Sequence, residues 1–461
     1  MKRIIAFVMC LIMMFTLAAC GSSTDAPASE QPTAEQPAEQ PAAEQPAAET
    51  SGETPVSFEI WLSTTDLATD TYYTWLVKLA DAYMQAHPNV TIKFTCLGSD
   101  ASDYSAKWDV AASADNLPDV ISCNSNRLDE WAEAGVIVNL YDDLGSDAKF
   151  INRFTDGVLE KVNGACGENA LYGLPWRSES FGWLYNVELF DQCGLEIPET
   201  WDELLHCVEV FNENGIIPIA EGGTDVWAVW GYHPFFTRYG FTEEMAKQIQ
   251  AGELKYADCE PITKSFARMQ ELAEAGAFNE DCYTTSHAQA LAMFEEGKAA
   301  MYTIYSSIEP DLSNPDVANH TRYNAGPEFP DGALSGPSIL RKFDWVLALG
   351  NVAKSDDAKY AAILDFLKFF ASEEGTKIMT DAGYAPATKY DTAKMENVTM
   401  LGRDINESYV SDKWLSSDYA FSAWFDKKYT GEYTTVITGV LTQTITAEEA
   451  VEILQSAIDN G

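Results

Sequence analysis

Twelve tryptophans and 71 acidic side chains set the chemistry open to this 461-residue chain. An indole covers the apolar face of a ring, while carboxylates, amides and guanidinium groups at its rim bond hydroxyls, so the combination suits a polyhydroxylated ring. Two carboxylates are also the tools of glycoside hydrolysis, but among so many acids some suitable pair must exist and carries no weight alone. The chain has no Gly-x-Ser-x-Gly elbow, no His-Glu-x-x-His, no Gly-x-Gly-x-x-Gly and no phosphate loop. Its five histidines, His87, His206, His233, His287 and His320, lack His-x-x-x-His spacing and none of its nine cysteines forms Cys-x-x-Cys, so neither a zinc site nor any cofactor is expected. A formal charge of -42 repels polyanions and argues against nucleic acid as a partner.

The elements that must carry these groups are legible from periodicity. Val56 to Leu62 alternates in its first half, and Tyr72, Trp75, Leu76, Leu79 and Tyr83 fall at helical spacing before His87-Pro88. Val90, Ile92, Phe94 and Cys96 share one face of a second strand, a helix through Trp108 follows, and Leu117-Pro118-Asp119-Val120-Ile121 reads as a third strand. Such a series calls for a largely parallel sheet with right-handed crossovers, in which ligands sit at the carboxyl ends of strands. The loops after Leu62 (Ser63, Thr64, Thr65, Asp66) and after Ser122 (Asn124, Asn126, Arg127) are therefore candidate contacts. From about Trp201 to Gly297 the chain reads as mostly helical, with Thr200 as an N-cap. Ala358 to Phe370 carries a broad apolar stripe that Ser372-Glu373-Glu374-Gly375 should stop.

Before this folded part, residues 1–20 have a basic start at Lys2 and Arg3, an apolar run too short to span a bilayer, and Leu17-Ala18-Ala19-Cys20. The order resembles a bacterial lipoprotein signal, which implies lipidation at Cys20 and an extracytoplasmic protein anchored to the cell membrane, of Gram-positive type. Residues 21–54 repeat Glu-Gln-Pro-Ala without bulky apolar residues and should form a disordered tether. Seven cysteines remain in the folded part, an odd number, so at least one thiol is unpaired or bonds another chain.

Several blocks, in order, resemble one family. They are Leu117-Pro118-Asp119-Val120; Ala134-Gly135-Val136-Ile137-Val138-Asn139-Leu140; Leu171-Tyr172-Gly173-Leu174-Pro175-Trp176, with Leu184-Tyr185-Asn186 and Pro198-Glu199-Thr200-Trp201-Asp202-Glu203-Leu204 after it; Met293-Phe294-Glu295-Glu296-Gly297-Lys298-Ala299-Ala300-Met301; and Thr446-Ala447-Glu448-Glu449-Ala450. This arrangement is similar to the extracellular solute-binding proteins of family 1, the sugar-binding proteins of ABC importers. The resemblance implies an α/β, two-lobe periplasmic-binding-protein-like fold of type II, hinged over a ligand cleft. Lobe one would be 55–178 plus 322–375, and lobe two 179–321 plus 376–461. It implies capture of a carbohydrate, delivery to permease subunits and no enzymatic activity, by a protein expected to be a monomer.

The same resemblance places Trp176, Arg177 and Glu179 at the first crossing, Trp227 and Trp230 near the cleft, and Asp344 with Trp345 in a cleft-facing loop. Glu179 is the leading polar candidate, with an ion pair to Arg177 as the competing role. Many relatives carry Gly-x-Trp after Ala-Ala-Met; here the chain reads Tyr302-Thr303-Ile304-Tyr305-Ser306, so Tyr305 stands in for the missing platform and the ligand's identity stays open. A polyamine, peptide or phosphate ester in the same fold, or a surface glycoside hydrolase, are the alternatives.

Overall fold

The computed structural model describes residues 54–460 other than 100, 225–227, 335, 337, 397, 411–414 and 418–429. The signal-like segment, nearly all of the tether, Cys20 and Trp227 lie outside the described residues. In chain order the strands are β1 (Val56–Leu62), β2 (Val90–Cys96), β3 (Val120–Asn124), β4 (Gly173–Pro175), β5 (Glu179–Asn186), β6 (Ile217–Ala220), β7 (Ala299–Tyr305), β8 (Thr321–Asn324), β9 (Ser338–Lys342), β10 (Trp345–Ala348) and β11 (Leu415–Ser417). They form two sheets, ordered β2-β1-β3-β10-β4 and β11-β9-β5-β7-β6, with β8 added on β5.

In the first sheet β1 runs parallel to β2, Val56 opposite Val90 through Leu62 opposite Cys96, and parallel to β3. Phe58, Ile60 and Leu62 all point into the core, as the alternation requires. The helix Thr74–Ala86 buries Trp75, Leu76, Leu79, Ala80 and Tyr83 on that sheet, and each large side chain so buried stabilises the lobe by about 1.5–3 kcal/mol. The helix Asp357–Phe370 covers it too, through Ile363, Phe366, Leu367 and Phe370. That helix ends at Phe370 as expected, just before Ser372. The Ser372 side chain accepts from the Gly375 amide and caps a new helix, Glu373–Asp381.

The second lobe is the more helical. Thr200 and Glu203 form a capping box at the start of Trp201–Glu213, satisfying two orphan amides. Between this helix and Glu260–Glu274 the chain inserts β6, a four-residue strand too short to show in the hydrophobic period.

Three segments join the lobes. The first is Trp176–Ser178, between β4 and β5. The return expected near Arg322 falls instead at Phe343 and Asp344: β8 and β9 both pair with β5, which commits 321–342 to the second sheet, and only β10 rejoins β3 and β4. The last passage, expected near 375, lies near Ala385, because Met379 and Tyr384 pack in the first lobe's core with Trp176 and Phe370 while Ala385 packs with Ile339 and Leu401. Among the described residues the seven cysteines of the folded part are all free thiols.

Candidate ligand-binding cleft

The crossings bring the ends of both sheets together, and the side chains there are aromatic and charged. On the first-lobe side the Tyr73 hydroxyl sits 3.2 Å from Ser122 Oγ and accepts the Ser63 amide, and Trp176 Nε1 donates to the same Ser122 oxygen at 3.2 Å. Trp176 is fully buried, stacked on Trp75 at 4.9 Å and met edge-on by Tyr72 at 5.5 Å. Its indole is therefore a wall of the core beneath the cleft, with both faces and the N–H engaged inside the protein. The half-buried rings above it are Tyr72 and Trp345, 5.8 Å apart and nearly perpendicular.

Arg177 and Glu179 form a buried ion pair at 3.0 Å. Residues two apart in an extended chain share a face, which is why this pair forms locally. The Arg177 guanidinium lies 4.2 Å from the Tyr72 ring centroid and 5.1 Å from that of Trp176. Burial works against its charge, but Glu179, then Tyr72, Asp344 and Tyr384, together outweigh it and hold the guanidinium above its ordinary pKa. A second pair, Lys342 with Asp344 at 3.0 Å, closes the other crossing. Burial pushes the Asp344 carboxyl up, yet Lys342 and then Arg177 keep it below the usual range, and so ionised.

From the second lobe come Phe181, Trp230 and Tyr305. Trp230 packs against Phe181 at 5.7 Å and lies parallel to His233 at 5.8 Å. Its segment can approach β7 because Gly231 faces Thr303, where a Cβ would come within 2.8 Å. Burial, and after it the charge of Lys342, push His233 down to about 3, so it stays neutral. Tyr305 donates to Asp311 at 2.9 Å, and Asp311 also accepts from Thr71 of the first lobe, a hydrogen bond spanning the two lobes. Burial raises the Asp311 carboxyl.

The remaining candidates are spread along the rim. Thr64 is buried and its carbonyl accepts from Gly98, while Thr65 and Asp66 are exposed; Thr65 meets Ser99 at 3.2 Å and Asp66 binds the Ala68 amide. Asn124, opposite Trp345 in the sheet, caps its own turn by accepting from the amide of the exposed Asn126. Arg127 turns away to Asp109 at 2.9 Å. Periodicity and resemblance do not single out Tyr72, Phe181, Asp311 or Lys342 as cleft residues. Tyr72 reads as one more residue of a helical stripe, and the others gain their places through partners far away in sequence.

A model of the bacterial extracellular solute-binding proteins matches residues 68–377. The multiple sugar-binding protein of Streptococcus mutans is 23% identical over 366 residues, 76% of this chain and 81% of that one. The melibiose/raffinose/stachyose-binding protein MelE of Bacillus subtilis is 21% identical over 376 residues, 79% of each. Among solved structures, RafE in complex with raffinose matches with a TM-score of 0.68 at 18% identity, covering 87% of this chain and 98% of RafE, whose apo form was solved from Streptococcus pneumoniae. The two lobes, the three crossings and this match along most of the folded chain lead to one assignment: the protein belongs to the bacterial extracellular solute-binding protein family.

Proposed function

We propose that the protein captures a neutral carbohydrate between its lobes and delivers it to the permease of an ABC importer, without transforming it. The observation that carries this reading is the one-to-one pairing of the ions at the cleft base, Arg177 with Glu179 and Lys342 with Asp344. Charges already matched pull little on a polyamine or a phosphate ester, whereas carboxylate and N–H groups beside Tyr72, Trp345 and Trp230 suit hydroxyls on a ring. The sugars named for MelE and RafE support the same class.

Ligand touching both lobes stabilises their closed arrangement, in which the hydrogen bond from Thr71 to Asp311 also joins them. The Leu-Ala-Ala-Cys20 segment and the tether fit a monomer held at the outer face of a Gram-positive membrane by a lipid on Cys20.

A thermal-shift and calorimetric panel of raffinose, melibiose, xylo-oligosaccharides, chito-oligosaccharides and spermidine tests the reading. At a hundred times its dissociation constant a bound ligand adds about 2.7 kcal/mol of stability. We expect at least one sugar to bind one to one without products, and spermidine to leave the melting point unchanged; the reverse pattern, or sugar turnover, rejects the reading. Trp230→Ala should weaken sugar binding on the order of tenfold, measured by titration, with little loss of helical signal.

A further inference from the structure

The place above the Trp230 ring is already filled. Lys342, the last residue of β9 and the start of the second crossing, sets its Nζ 3.5 Å from the indole centroid and 5.8 Å from that of Phe181. Its side chain is only 13% exposed, so the ammonium is part of the packed cleft base and not a surface group swept over the ring. A sugar stacking on an indole lays its C–H face in the van der Waals layer above the ring, the same layer this ammonium occupies, and the two exclude each other.

We infer that Lys342 is an internal occupant of the Trp230 platform, displaced by the incoming ligand, and that it selects against cationic ligands. The inference rests on the carbohydrate reading above. Asp344 makes the displacement feasible. Its Oδ2 holds the ammonium at 3.0 Å, while its Oδ1 is buried with no hydrogen-bond partner among the described residues. Lys342 can therefore swing off the ring without losing its counter-ion, and bring its N–H donors to the hydroxyl rim of the ligand. A cationic ligand would have to drive this ammonium off the indole only to replace one cation–π contact with another, so it gains nothing at the platform. It also sits on a segment that must bend when the lobes move, so its departure from Trp230 ties ligand arrival to closure.

The test is Lys342→Gln, which is one atom shorter but keeps an N–H donor for Asp344 and loses the charge attracted to the ring. Labelling with 5-fluorotryptophan and assigning the Trp230 resonance by its loss in Trp230→Phe gives a reading that needs no ligand. Lys342→Gln should move that resonance in the ligand-free protein. It should tighten binding of the sugar found in the panel by about twofold to thirtyfold, the range of a cation–π contact expressed as affinity, and allow spermidine to bind. Weaker or unchanged sugar binding overturns the inference, because Lys342 would then be holding the ligand or be irrelevant to it. An unmoved Trp230 resonance overturns the occupancy itself. A wild-type protein that binds no carbohydrate while the resonance does move overturns the functional reading and the displacement, but not the occupancy. If Lys342→Gln lowers the melting point, Lys342→Met, which retains the packed methylenes, answers the same question.

Discussion

Glu179→Ala lowers the stability of the fold by about 3–5 kcal/mol, because it leaves the Arg177 guanidinium charged in a site that is only 4% exposed. Arg177→Met combined with Glu179→Leu restores most of that loss, since two apolar side chains against Tyr72 and Trp176 leave no uncompensated charge behind. Urea denaturation of Glu179→Ala and of the double variant measures this directly. If the midpoint of Glu179→Ala matches the wild type, the carboxylate is not what holds Arg177. From sequence, Glu179 is the leading candidate for ligand contact; its geometry makes it first a positioning residue that keeps Arg177 over the Tyr72 ring. Sugar affinity of Glu179→Ala is therefore best read at low temperature, after the folded fraction is known.

Raising the pH from 4.5 to above 7 should remove about 3 kcal/mol of stability through Glu221 alone, the gap between its ordinary value of 4.5 and its folded value of about 7. Burial at the end of β6 pushes this carboxyl up; the Tyr232 hydroxyl, donating at 2.8 Å, and the Gly222 amide pull it back only in part. Between the two values the folded chain keeps a proton that the unfolded chain gives up, so the contribution is complete below 4.5 and fades as the pH rises through 7. Glu221→Gln keeps an acceptor for Tyr232 and removes the titration. The difference in melting temperature between variant and wild type should therefore grow with pH across that window. A difference that stays constant would mean that Glu221 titrates as an ordinary exposed acid.

These two residues also mark how far local pattern reaches. Arg177 and Glu179 lie two positions apart where the first crossing runs into β5, within reach of reasoning from the extended chain. That Glu221 is sealed from water depends on Tyr232 and on Asn279, whose side chain accepts the Glu221 amide across 58 residues of chain. The buried faces of β1 and of the helix Thr74–Ala86, and the capping box of Thr200 and Glu203, repeat with short periods and are legible in the order of residues alone. The crossing points are not. Whether β8 and β9 join one sheet or the other is settled by their pairing with β5, distant in sequence, and the alternation of side chains is the same in either place.

The order of residues was enough to establish strands alternating with helices in the first lobe and an acidic composition unsuited to polyanions, because each follows from composition or from contacts a few positions apart, while the cleft was implied by the family resemblance. The tertiary arrangement alone made Trp176 a core residue, stacked on the distant Trp75, and put the Lys342 ammonium over Trp230. The physical reason is that burial and pairing belong to neighbours in space, and for these side chains the neighbours are supplied by remote parts of the chain.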